Sequence, residues 1–210
     1  MPGKQFTGTG KPYLRVVNGS FAQTVDKDTE GARRREWETP DGKSGVKYEI
    51  VYINWEGIIR NITFKDGDYG ETCTIEFDDA NVCLNTASRY FTDFACKLFS
   101  ADIKKSVLLH PYDMEVDTGR KSGFSFQQDG EKLKNHFYDG EKNLHGFPEV
   151  DREKAVSKRY WKIYFAEVTG YLVDKIKELE FENPQVETVK EIFETEIPSA
   201  DDKFLSDLPF

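Results

Sequence analysis

From Tyr13 to about Tyr138 the apolar positions fall in short runs, many alternating with polar ones, and this period predicts strands rather than helices. The runs lie at 13–18 with a continuation near 21–25, then at 46–55, 57–65, 71–77, 81–84, 106–112, 122–127 and 133–138. Clusters rich in Asp, Gly, Asn and Ser at 41–45, 66–70, 78–81, 117–123 and 128–131 separate them, which is hairpin chemistry. One segment inside the array has helical spacing: Tyr90, Phe91, Phe94, Ala95, Leu98 and Phe99 recur between about Thr86 and Ala101. After Pro148 the period turns helical through roughly Arg152 to Phe181. Trp161, Phe165, Val168, Leu172, Ile176 and Leu179 form one stripe there, with Tyr160, Tyr164 and Tyr171 beside it. That helix is expected to cover the β-domain, and its broad aromatic surface also suits a protein interface. Pro184 suits the first turn of a short helix to about Glu194, and the composition from Thr195 onward predicts disorder.

This order of elements predicts a mainly β fold with helical additions. The specific expectation is an OB-fold-like, five-stranded antiparallel Greek-key barrel with a mid-barrel helix and a long C-terminal helix. An elaborated sandwich is the competing architecture. The length of 210 residues suits one such domain. The expected divisions are a flexible arm at 1–12, the barrel at 13–148, a helical extension at 149–194 and an acidic tail at 195–210.

Composition adds two things. The 3 Trp, 10 Tyr and 16 Phe are many for core filling alone. The net charge of -9 argues against a polyanion ligand until its distribution is read. From Glu178 to Phe210 stand ten acids and two lysines, so the rest of the chain is close to neutral. No apolar run approaches a membrane span, and the first ten residues lack the apolar core of a signal peptide, so the cytoplasm is the expected compartment. Cys73, Cys83 and Cys96 have no paired knuckle spacing, and His110, His136 and His145 do not fall at ligand spacing, so no metal or cofactor is expected. No Walker loop, nucleophile elbow or zinc-protease motif is present, and the acids Glu76, Asp78 and Asp79 read as hairpin residues, so the chain is not expected to be an enzyme.

The positive signal is basic and aromatic residues interleaved along candidate strands. A single nucleic-acid strand exposes base faces and phosphates together, so a groove that holds it needs flat rings and cations side by side. Such groups occur at Arg33, Arg34 and Arg35 with Trp37, at Lys47 and Tyr48 with Tyr52 and Trp55, and at Lys65 with Tyr69. They recur at Arg120 and Lys121 with Phe124 and Phe126, and at Lys132, Lys134, His136 and Tyr138. In the last group strict alternation would put all four side chains on one face, with Leu133 and Phe137 on the other. Any one of these rings could equally be core, and the triple arginine could equally be a solvated loop.

The chain ends with Asp201, Asp202, Lys203, Phe204, Leu205, Ser206, Asp207, Leu208, Pro209 and Phe210. This resembles the tail of bacterial single-stranded DNA-binding proteins, which ends Asp-Asp-Asp-Ile-Pro-Phe and recruits replication and repair enzymes. Asp207, Pro209 and Phe210 match, Leu208 replaces the isoleucine, and Leu205 and Ser206 stand where the family has acids. A terminal Phe offers a ring and a carboxylate to an apolar pocket rimmed by cations. In the body, the stretches beginning at Val107, Gly123 and Gly146 look like the OB-fold single-stranded DNA-binding proteins of some bacteriophages. The resemblance implies a non-catalytic single-stranded DNA-binding protein of replication, recombination or repair, located in the host cytoplasm if phage-encoded. Asp201, Asp202, Asp207, Leu208, Pro209 and Phe210 would contact replication or recombination enzymes, and homo-oligomerisation is left open. The rival is a virion or assembly protein with buried aromatics and no nucleic-acid binding.

Overall fold

A computed structural model describes residues 10–39, 42–68, 70–117 and 119–181. Tyr69, the expected helix at 184–194 and the acidic tail lie outside these residues. The fold is mainly β with two helices. The strands are β1 (Tyr13–Val17), β2 (Ser20–Val25), β3 (Arg33–Glu38), β4 (Ser44–Tyr52), β5 (Trp55–Gly57), β6 (Ile59–Lys65), β7 (Thr72–Phe77) and β8 (Asn81–Asn85). Helix α1 (Arg89–Leu98) follows, then β9 (Val107–Val116), β10 (Gly119–Gln128), β11 (Glu131–Lys132) and helix α2 (Lys158–Lys177).

These strands do not close into one five-stranded barrel. They form a seven-stranded sheet, β3-β4-β2-β1-β8-β7-β6, and a four-stranded sheet, β11-β10-β9-β5. The chain from Trp55 to Lys65 is interrupted only at Ile58, where it leaves one sheet for the other, and the β6–β7 register shifts just beyond, between Ile59 and Asn61. On the opposite side the β1–β2 turn approaches β9 without a ladder. Asn18 and Gly19 both have positive φ, as a two-residue hairpin turn of type I′ requires. A Cβ on Gly19 would stand 2.6 Å from the Asp113 nitrogen, so only glycine lets this turn reach β9.

Between the sheets lies a core rich in phenylalanine. Phe21, Phe77, Phe91, Phe94, Phe124 and Phe126 are all fully buried. Phe124 meets Phe21, Tyr90 and Phe94 at centroid distances of 6.0, 5.7 and 6.3 Å, and Phe94 stacks on Phe126 at 5.7 Å. Helix α1 supplies Phe91, Phe94, Ala95, Cys96 and Leu98 to this core, and the Ser88 hydroxyl caps its start by accepting from the Phe91 N–H. Cys73 and Cys96 are buried as small hydrophobes; burial raises both thiols, Cys96 to about 12.

Helix α2 docks mainly through its second half, where Val168, Leu172, Val173 and Ile176 are buried, while Tyr164 of its first half packs partly buried against the core. The other rings of its first half lie nearer the surface: Trp161 stacks 5.7 Å from Phe165, which is 58% exposed. Among the described residues no helix is long and apolar enough to cross a membrane.

Two segments differ from the sequence expectation. Arg33–Glu38 is a strand rather than a loop, paired throughout with β4. Residues 133–138 are not a strand, because the chain turns toward α1 after Lys132. The Asn135 side chain accepts from the Phe137 N–H, and the His136 N–H donates to the Cys96 carbonyl at 2.8 Å.

Candidate nucleic-acid interface

The long hairpin of β9 and β10 presents one face to the core and one outward. Gly123 stands opposite Tyr112, Ser125 opposite His110, and Lys121 opposite Met114. Because successive side chains point to opposite faces, these residues line the outer surface, while Leu109, Pro111, Phe124 and Phe126 point into the core. The outer surface is an open groove of about 570 Å³. Lys97, His110, Tyr112, Met114, Lys121, Ser125, Gln127 and Lys132 line it, and none of these is acidic.

The groove floor is held by α1. The Phe124 N–H donates to Asp93 Oδ2 at 2.6 Å, and Lys97 donates to the Phe124 carbonyl at 2.6 Å and to Asp93 at 2.8 Å. Two helix side chains thus satisfy the edge of β10 where no strand covers it. This occupies the charge of Lys97. Among the described residues neither Lys121 nor Lys132 has an anionic partner. The Tyr112 hydroxyl sits above Gly123, where a Cβ would come within 2.7 Å of it and 2.5 Å of Asp93 Oδ2. Gly123→Ala is therefore expected to push Tyr112 and Asp93 out of place and to destabilise the domain by about 1–3 kcal/mol. Urea denaturation checks this, and a substitution with unchanged midpoint would show that the floor can give way.

The second cationic surface is the outer face of the seven-stranded sheet. Arg33 and Arg35 stand across from Glu49 and Lys47. Glu49 is 2% exposed. Arg35 Nε and Nη2 donate to its two oxygens at 2.7 and 2.8 Å, and Arg15 approaches at 3.5 Å while also donating to the Thr24 hydroxyl at 2.8 Å. The Trp37 ring rests on Gly45, and the Lys47 ammonium lies 5.3 Å over that ring.

The hydrogen bonds from Arg35 hold the Glu49 carboxyl below its usual pKa against the opposing effect of burial. A lowered folded-state pKa gives stability that is complete above the unfolded value, about 4.3, and is lost as pH falls through the folded value. Glu49→Gln is expected to cost about 1–3 kcal/mol at neutral pH. That gap from the native protein should shrink toward pH 3 in paired urea titrations. A pH-independent gap would mean the ion pair adds nothing.

Other expected site residues lie elsewhere. Trp55, Phe124 and Phe126 are buried, so their rings are unavailable to a base. Alternation is the reason: Lys121 and the two phenylalanines sit on opposite faces of β10. Tyr48 and Tyr52 point to the side of β4 opposite Lys47; Tyr52 packs edge-on to Trp55 and donates to Gln23 at 3.0 Å. Arg34 is on that inner side too, paired with Glu36. Arg120 faces away from the groove and forks onto Asp113. Lys65 lies on the far edge strand, β6, remote from the arginine cluster.

The group at 132–138 does not share one face. Lys132 enters the groove and Lys134 is exposed in an irregular segment. His136 stacks on His145 at 4.3 Å, and burial followed by the charge of His145 lowers its pKa. Tyr138 is 45% exposed and donates to the Gly140 carbonyl. Asp78 is held by Arg60 and Asp79 by the Trp55 indole, and among the described residues no cluster suits a metal ion.

Sequence reasoning missed His110, Tyr112 and Met114 as groove residues, and Arg15 in the second cluster. The signal for the first three was present: with Leu109 and Pro111 inward, period two turns 110, 112 and 114 outward. Compared with known proteins, the chain matches no family model, no curated protein and no solved structure.

Proposed function

We propose that this is a non-catalytic single-stranded DNA-binding protein of replication, recombination or repair, with the β9–β10 groove as its principal contact surface. The observation that carries the reading is a groove whose lining holds His110, Tyr112 and two lysines, Lys121 and Lys132, that have no anionic partner among the described residues, with no acid among its lining residues. Phosphates need point charges and bases need flat or polarizable partners, and this surface offers both without an array that reads base edges. The scaffold is read as OB-like because the two sheets wrap one core, joined by a strand that changes sheets, with a helix inserted between β8 and β9. The acidic segment ending in Leu208, Pro209 and Phe210 serves, in this reading, to recruit partner enzymes.

Filter binding with an oligo(dT) strand against the matching duplex tests the function. Preferential binding of the single strand, falling with salt at a log-log slope of about -0.7 per phosphate contact, is expected. Duplex preference, or no binding at 50 mM salt, would overturn it. One observation favours an assembly role instead: Val156, Ile163 and Phe165 of the α2 region are 91%, 58% and 58% exposed. Concentration-dependent association that is abolished by Phe165→Ser, together with absent DNA binding, would support that reading.

A further inference from the structure

We infer that the outer face of the seven-stranded sheet is a second, separate phosphate-binding surface, so that one molecule holds two segments of single-stranded DNA on opposite sides. This rests on the proposed single-strand binding and extends it.

One carboxylate needs one guanidinium, and Arg35 satisfies Glu49 with two hydrogen bonds. Yet Arg15, Arg33 and Lys47 surround the same position. The surplus cations stand on neighbouring strands and repel one another, a cost that a polyanion would relieve. Asp26, just past β2, and Glu76, on β7, flank the cluster, and neither bonds to any of its cations. From β3 to β1 the cluster crosses three strand spacings, about 14 Å, enough for two or three phosphates of an extended strand. Flat rings are adjacent: Trp37 lies along the sheet surface, and Tyr13, 64% exposed, stands two residues from Arg15 on the same face of β1.

The two cationic surfaces cannot serve one short strand. The inner face of each sheet packs on the shared phenylalanine core, so their outer faces look in opposite directions. A short oligonucleotide occupies one or the other, and the protein should therefore bring two oligonucleotides together.

The test uses the full chain with an equimolar mixture of donor-labelled and acceptor-labelled dT6, too short to reach from one face to the other, read by energy transfer, beside binding of one labelled strand. The paired substitution Arg33→Gln and Lys47→Gln leaves the Arg35–Glu49 pair intact. It is expected to lower energy transfer at least fivefold while single-strand affinity falls less than threefold. Lys121→Gln with Lys132→Gln should lower both. Energy transfer unchanged by Arg33→Gln and Lys47→Gln would overturn the proposal; a dimer holding one strand in each groove would behave in that way. Loss of all binding in the same variant would also overturn it, by making the sheet face the sole site. Failure of the native protein to bind one strand removes the functional reading itself, and the second surface with it. Binding of one strand without energy transfer removes only the second surface.

Discussion

Phe124→Ala is expected to destabilise the domain by about 3–5 kcal/mol, a large part of the roughly 5–15 kcal/mol that holds a typical domain together. The ring is fully buried and meets Phe21 from the seven-stranded sheet and Tyr90 and Phe94 at α1. Truncation would open a cavity where both sheets and the helix converge. At the same backbone position the N–H donates to Asp93 and the carbonyl accepts from Lys97, so slackening there would reach the groove floor. A fall in melting temperature of about 10 °C or more should follow, measurable by tryptophan fluorescence. A ring that stacks on DNA would give the reverse pattern, lost affinity with an unchanged melting temperature. Tyr112→Ala is the substitution expected to give that pattern.

Reversing charge at the groove should give the largest change in binding. Lys121→Glu with Lys132→Glu removes two cations that have no anionic partner among the described residues and puts two carboxylates against the phosphates. Loss of two contacts alone weakens single-strand binding by one to two orders of magnitude at about 50 mM salt, and repulsion adds to it. The salt slope should become shallower by about 1.4. Both side chains are exposed, so the melting temperature should stay within about 2 °C. Equal affinities for native and variant protein would remove the groove from the proposed function. Arg120→Glu serves as a contrast: Arg120 faces the other way and is bound to Asp113, so its loss should affect stability more than affinity.

The candidate site is partly legible in the sequence. Lys121 and Lys132 were both identified from their aromatic neighbours, and both lie in the groove, but the neighbours credited to them were wrong. Phe124 and Phe126 are close in sequence to Lys121 and point the other way, because adjacent and odd-spaced strand residues occupy opposite faces. The group at 132–138 was read as a strand from its alternation, which a turn with inward Phe137 and Leu133 also satisfies. The triple arginine shows the converse. Apolar periodicity was absent there, so no strand was expected; pairing with β4 and the Arg35–Glu49 contact make one.

Local chemistry determined the elements. Alternating apolar residues bounded by Asn-Gly and Asp-Gly turns specify hairpins, and three-to-four spacing after Ser88 and Ser157 specifies helices, because those preferences act within a few residues. The mainly β class and both helices follow from such short-range signals. Sheet partnership was decided only by tertiary structure. The parallel pairing of β1 with β8, the change of sheets at Ile58 and the covering of the β10 edge by Asp93 and Lys97 join residues far apart in the chain. Which of the many rings became core was decided there too, since a phenylalanine on a strand is apolar on either face. Only the sheet or helix that packs against one face removes it from water and leaves the other to a ligand.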